Sequence, residues 1–166
     1  GKKPTGTLVT DYLLPGKNLY LIGTGTGLAP WLSIIRDPDT YERYEKVIVV
    51  HGVRHVADLA YQEMLEKDLF EHEILGDIIK DKLIYYPTVT REPFRNQGRI
   101  SDQIENGTFP QNIGLPPLNR ETDRVMLCGS PEMLDTLKHM FEARGFNEGN
   151  TTTPGDFVIE RAFVEK

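Results

Sequence analysis

Short uncharged runs alternate with amphipathic stretches along the chain, and the alternation predicts strand, helix, strand, helix. Residues 18–22 (Asn-Leu-Tyr-Leu-Ile) follow a Pro15-Gly16 break and read as a buried strand. Residues 46–50 (Lys-Val-Ile-Val-Val) are the clearest strand, β-branched and uncharged after Lys46. Residues 82–86 read as a third strand closed by Pro87, 124–128 as a fourth and 156–160 as a last one. Between them, 28–35 read as a helix that tolerates Pro30 in its first turn and ends at Asp37-Pro38. Residues 58–70 read as one helix, with Leu59, Ala60, Met64 and Leu65 on its apolar face. Residues 101–105 read as a short helix, followed by a polar loop broken by Gly114 and Pro116-Pro117. Residues 131–144 read as a helix capped by Ser130, opened by Pro131 and stopped at Gly145.

This order predicts an α/β fold, a five-stranded parallel sheet with helices on both faces. Such sheets bind ligands beyond the carboxyl ends of their strands. The residues expected there are 23–27, 51–54, 88–91 and 129–130, so the functional reading starts from them.

Composition narrows the classes. A chain of 166 residues with a net charge of −6 argues against a nucleic-acid binder, although an acidic whole still accommodates a local cluster of arginines. The single cysteine, Cys128, excludes an internal disulfide and fits a reducing compartment. No apolar run approaches the roughly 20 residues of a membrane-spanning helix, and the first residues carry no export signal. A monomeric cytoplasmic protein without a metal site is expected.

Gly23-Thr24-Gly25-Thr26-Gly27 stands between a strand and a helix. Glycines there allow a sharp turn and close approach of a ligand, and a helix N-terminus favours phosphate. A tight connection is the plainer reading of the same residues. The spacing is neither the usual dinucleotide fingerprint nor a Walker-type loop, since no Gly-Lys-Ser/Thr follows.

NAD-binding units place an acid at the end of the second strand to hold the ribose. Here the run is His51-Gly52-Val53-Arg54. A cation in that place suits the 2′-phosphate of NADP. Arg91 and Arg99 are candidates to converge on the same phosphate, though taken singly each reads as a solvated charge. Asp58 reads as a first-turn carboxylate favoured by the helix dipole, not as the ribose acid. Cys128-Gly129-Ser130-Pro131 reads either as a capped turn with a core cysteine or as the neighbour of a nicotinamide.

Taken together, Gly23-Thr-Gly-Thr-Gly-Leu-Ala-Pro30, His51-Gly-Val-Arg54, Tyr85-Tyr-Pro-Thr-Val-Thr-Arg-Glu92, Gly98-Arg99, Cys128-Gly-Ser-Pro131 and Glu160-Arg-Ala-Phe-Val-Glu-Lys166 resemble the C-terminal half of ferredoxin/flavodoxin–NADP⁺ reductases, the bacterial subclass most closely. The resemblance implies that Gly23, Thr24, Gly25, Thr26 and Gly27 form the pyrophosphate turn, with Gly25, Thr26 and Gly27 cradling it. It implies that Arg54, Arg91 and Arg99 hold the 2′-phosphate and adenosine. Cys128, Gly129, Ser130 and Met133 would lie beside the nicotinamide, with Cys128 and Glu160 orienting it or supplying local charge. The tail would pack near the flavin, with Ala162 against the ring, Phe163 close by and Lys166 at the end. The family also carries FAD on a front β-barrel with an Arg-x-Tyr-Ser motif, which is not found here. Residues 1–17 resemble the tail of that barrel and its linker, and 18–166 the NADP(H)-binding domain. The chain is therefore expected to be a fragment, or to find its flavin domain elsewhere.

The implied activity is hydride exchange between NADP(H) and FAD, with ferredoxin or flavodoxin as electron partner. The cofactors carry the electrons and the protein positions them. Three rivals are weighed. An oxygenase-type reductase with a fused iron–sulfur domain would show a cysteine cluster, and a methyl-donor-dependent transferase would show a ribose acid in place of Arg54. A non-catalytic nucleotide-binding module would bind NADP alone.

Overall fold

A computed structural model describes residues 10–26 and 28–160. Five strands form one sheet in the order β3-β2-β1-β4-β5, and every pair is parallel. The strands are β1 (Asn18–Thr24), β2 (Lys46–Val53), β3 (Leu83–Val89), β4 (Asp123–Cys128) and β5 (Phe157–Ile159). Strand order reverses direction at β1, so the crevice between the ends of β1 and β4 is the switch point.

Each strand serves two cores because its side chains alternate between faces. Leu19, Leu21, Val47, Val49 and Met126 pack one way, against Trp31, Ile35, Leu65 and Ile79. Tyr20, Ile22, Ile48, Val50, Val125 and Leu127 pack the other way, against Ile104, Phe109, Leu137 and Phe141. Burying each such aliphatic side chain contributes about 1.5–3 kcal/mol. Edge-to-face contact of Phe109 with Tyr86, ring centroids 4.8 Å apart, adds orientation to the second core.

The helices depart from the sequence expectations in instructive ways. The helix expected over 28–35 is α1 (Trp31–Arg36), because Pro30 stands before its first turn and 28–30 complete the glycine turn. Asp37-Pro38 ends α1 but also starts α2 (Pro38–Arg43): the Asp37 carboxylate accepts from the Asp39 N–H at 2.9 Å, and Pro38 takes the first position.

The single helix expected over 58–70 is broken. A 3₁₀ turn (Val56–Asp58) is followed by Leu59 outside the helical region (φ −79°, ψ 76°). A π-helical segment (Met64–Asp68) then runs into α3 (Leu69–Glu71). Ala60, expected on the apolar face, is exposed. The unexpected α4 (Leu75–Ile79) starts where His72 Nδ1 accepts from the backbone of Ile74 and Leu75.

β3 passes through Pro87 to Val89, because it is an edge strand and one side of its backbone needs no ladder donor. α5 (Ile100–Glu105) matches the short helix expected there, but the polar loop after it contains α6 (Thr108–Ile113), begun by the Asn106 side chain accepting from the Thr108 N–H at 2.8 Å. α7 (Pro131–Ala143) follows β4 as expected, and Gly145 adopts φ +88° after it.

The Pro15-Gly16 segment is tied to this body. Arg124, buried on β4, donates to the carbonyls of Leu14 and Pro15 at 3.1 and 2.8 Å, and pairs with buried Asp156 at 3.5 Å. Among the described residues, no helix is long and apolar enough to cross a membrane.

Candidate functional site: the carboxyl ends of the strands

Two of the glycine-motif residues belong to the sheet. Gly23 lies opposite His51 and Cys128, and Thr24 ends β1. The turn itself begins at Gly25, whose φ of +58° favours glycine. A Cβ there would meet nothing within 4 Å, so the turn faces open space and the backbone alone demands the glycine. The Gly25 N–H donates to the Gly52 carbonyl at 3.0 Å. Its own carbonyl lies 2.8 Å from His51 Nε2. Thr26 is exposed beside it, and Gly27 lies outside the described residues.

His51 is buried in β2, and burial lowers its pKa against the weaker pull of the Gly25 hydrogen bond and the Asp58 charge. The ring is therefore neutral at pH 7. With Nε2 donating to the Gly25 carbonyl, Nδ1 carries the lone pair, and Nδ1 is buried without a hydrogen-bonding partner.

The end of β4 closes against the same turn. Thr24 Oγ1 accepts from the Ser130 N–H at 3.3 Å. Ser130 Oγ caps α7 by accepting from the Met133 N–H at 3.3 Å. Gly129, at φ +149°, sits so tightly that a Cβ would stand 2.2 Å from Thr24 Oγ1 and 2.8 Å from Met133 Cε. Thr24, Gly129, Ser130 and Met133 thus form one contact group at the switch point.

Cys128 is buried just beneath it. Burial pushes its thiol up to about 11, with the Glu160 charge adding in the same direction. The group is a neutral thiol at pH 7. The Glu160 N–H donates to the Leu127 carbonyl at 2.8 Å, which brings Glu160 alongside the end of β4. Ala162, Phe163 and Lys166 lie outside the described residues.

The three predicted arginines gather at the ends of β2 and β3. The Arg91 N–H donates to the Arg54 carbonyl at 2.9 Å, and the Glu92 carboxylate accepts from the Val56 N–H at 2.6 Å. The 90–98 loop then folds back onto β3, where Gly98 donates to the Val89 carbonyl at 2.9 Å and delivers Arg99 to the start of α5. A buried network fixes this return. Tyr86 Oη donates to Gln103 Oε1 at 2.6 Å, while Gln103 Nε2 donates to Thr88 Oγ1 at 2.7 Å and the Gly98 carbonyl at 2.9 Å.

Arg54, Arg91 and Arg99 are exposed, and their side chains make no hydrogen bond or ion pair among the described residues. The other described arginines, Arg36, Arg43, Arg95, Arg120, Arg124 and Arg144, each hold a partner. Asp58 is a first-turn carboxylate as expected, but of the 3₁₀ turn Val56–Asp58 and not of one long helix, and it accepts from the His55 N–H at 3.2 Å. Sequence reasoning missed His51, Glu92 and Gln103 as supports of the site. The signal for His51 was a polar residue in a strand apolar from Val47 to Val50.

A family model for the oxidoreductase NAD-binding domain matches residues 21–139. The sequence is 60% identical over 166 residues to a ferredoxin–NADP reductase of Pseudomonas aeruginosa, covering 99% of this chain and 64% of that protein. It is 55% identical over 166 residues to a ferredoxin–NADP reductase of Azotobacter vinelandii, with the same coverage of 99% and 64%. A crystal structure of a ferredoxin NADP⁺ reductase from Neisseria gonorrhoeae with bound FAD and NADP superposes with a TM-score of 0.80 at 27% identity, over 93% of this chain and 60% of that one. The chain thus spans 64% of the length of the first two relatives. Because the family match takes in the glycine turn, the arginine-bearing strand ends and most of α7, the chain belongs to the oxidoreductase NAD-binding domain family.

Proposed function

We propose that this chain binds NADP(H) and positions its nicotinamide for hydride exchange with FAD in a ferredoxin/flavodoxin–NADP⁺ reductase. The observation that carries the reading is the set Arg54, Arg91 and Arg99, the described arginines whose side chains hold no partner, gathered at the ends of two adjacent strands. Exposed guanidinium groups in that place suit a 2′-phosphate, which planar paired donors recognise well. The relatives at 60% and 55% identity support the same assignment.

The residues fit the dinucleotide. The open glycine turn, with nothing within 4 Å of a Cβ at Gly25, receives the pyrophosphate at Gly25, Thr26 and Gly27. The Gly129 hollow, which a Cβ would fill, receives the nicotinamide end beside Ser130 and Met133. Cys128 meets it as an uncharged thiol and Glu160 supplies the local negative charge. FAD, when bound, would supply the redox chemistry, one-electron exchange with the carrier protein and hydride exchange with the nicotinamide. The chain's own residues bind, orient and exclude water. In this reading the roles expected of Ala162, Phe163 and Lys166 beside the flavin fall outside the described residues. The protein works as a cytoplasmic monomer with ferredoxin or flavodoxin as its electron partner.

Calorimetric titration with NADP⁺, NAD⁺ and 2′,5′-ADP tests the reading, alongside Arg54→Ala. NADP⁺ and 2′,5′-ADP are expected to bind, with NAD⁺ at least about tenfold weaker, or about 1.4 kcal/mol, and the variant is expected to lose that gap. Equal binding of NAD⁺ would favour an NADH-using oxygenase-type reductase instead.

A further inference from the structure

We infer that His51 is the positioning residue of the glycine turn: its Nε2–H, donated to the Gly25 carbonyl, aims the turn at the pyrophosphate. The inference rests on the NADP(H) reading above and adds a residue to it.

The geometry gives the reason. Two hydrogen bonds from β2 hold Gly25, one to each side of its Cα. Its N–H goes to the Gly52 carbonyl at 3.0 Å, and its carbonyl receives His51 Nε2 at 2.8 Å. A trans peptide is planar, so its C=O and N–H point in opposite directions. Drawing the Gly25 carbonyl inward toward His51 therefore turns the Thr26 N–H the opposite way, away from His51. Glycine at φ +58° has no side chain to hold that peptide in place, so the constraint must come from its neighbours. His51 is rigid enough to provide it. It is 1% exposed, hydrogen-bonded in β2 between β1 and β3, and opposite Gly23 and Pro87 in the register.

The second ring nitrogen argues against a purely structural histidine. Nδ1 is buried and has no hydrogen-bonding partner. A leucine in this place would leave no unpartnered nitrogen, so what the ring adds over an apolar side chain is the Nε2 contact.

The test compares His51→Leu and His51→Gln with the unaltered chain, using NADP⁺ and 2′-AMP, which lacks the pyrophosphate, as calorimetric probes. His51→Leu is expected to weaken NADP⁺ about tenfold while 2′-AMP stays within about twofold. His51→Gln, which restores a donor at nearly the same reach, is expected to recover most of the loss. Nitrogen-15 NMR of the unaltered chain is expected to show the Nε2–H tautomer. Unchanged NADP⁺ binding in His51→Leu, equal loss of both probes, a glutamine variant no better than leucine, or the Nδ1–H tautomer would each overturn the inference. Failure of the unaltered chain to bind either probe would instead overturn the NADP(H) reading on which it rests.

Discussion

Thr24 and Ser130 join the two halves of the sheet at its switch point: the Thr24 hydroxyl, at the end of β1, accepts from the Ser130 N–H at 3.3 Å. Gly129 lies under this contact, and a Cβ on it would overlap Thr24 Oγ1 at 2.2 Å. The strand that carries the glycine turn and the helix that begins beside it are therefore locked in one arrangement.

Gly129→Ala is expected to break that arrangement. The φ of +149° is unfavourable for any residue with a Cβ, and the new methyl would press on Thr24 and Met133. A loss of about 3 kcal/mol in urea unfolding is expected, together with weaker nicotinamide-nucleotide binding. Thr24→Ala added to Gly129→Ala is expected to return part of the loss, because it removes the atom met at 2.2 Å.

Gln103→Leu tests whether the arginine cluster depends on its buried support. The substitution leaves Thr88 and Tyr86 short of a partner and removes the Gln103 bond to the Gly98 carbonyl. A cost of about 1–3 kcal/mol is expected in stability. The 90–98 loop carries Arg91 and delivers Arg99, so 2′-AMP affinity is expected to fall about tenfold. Unchanged 2′-AMP affinity in a destabilised variant would show that the loop holds its place without Gln103.

Much of this was legible in the sequence, and for a clear reason. Parallel strands buried on both faces read as continuous apolar runs, so Val47 to Val50 and Val125 to Leu127 announced themselves. Ser130, Pro131 and Gly145 marked α7 because capping is local chemistry. What escaped depended on tertiary neighbours. Pro87 read as a terminator, yet β3 continues through it because an edge strand does not need a ladder donor at every residue, and on its outer side the 90–98 loop meets the backbone at Val89. α4 begins on the His72 imidazole, an unusual cap, and α6 on Asn106 within a stretch that reads as polar loop. Residues 58–70 had helical spacing but not helical continuity, since Leu59 leaves the helical region between the 3₁₀ turn and the π segment. At the site, the arginines and the glycine turn were readable as residue types at strand ends. His51 was not, because its role depends on where the Gly25 carbonyl points.

Arg124→Met is expected to be among the most destabilising substitutions on the sheet. Arg124 is buried, donates to the carbonyls of Leu14, Pro15 and Arg120, and pairs with Asp156, itself 1% exposed. Removing the cation strands a buried carboxylate, which costs about 3–5 kcal/mol. Asp156 keeps its bond from the Asn147 N–H at 2.8 Å and its longer pair with Arg120 at 3.7 Å, which sets the loss toward the lower end. The substitution also frees the 14–15 backbone, so limited proteolysis is expected to cut there first in the variant.

Cys128 is expected to remain a thiol through neutral pH and to become reactive only in strong alkali. Its ionisation is pushed up from an ordinary 9.0 to about 11, first by burial and then by the Glu160 charge. Alkylation by iodoacetamide in the folded chain should therefore be slow at pH 8, with a rate that rises toward an inflection near 11; in denaturant the inflection should return to about 9. The linkage sign follows from the same shift. Between about 9 and 11 the unfolded chain releases this proton first, so the stability contributed by Cys128 is complete below 9 and falls away as pH rises through 11. Buried Tyr20 and Tyr41, whose ionisation is also raised, act in the same direction. The contribution of Cys128 is isolated by comparing the pH dependence of unfolding with that of Cys128→Ala, whose stability should decline less steeply over that window. A native inflection near 9 would show that the thiol is solvated, and would remove the case for an uncharged Cys128 beside the nicotinamide.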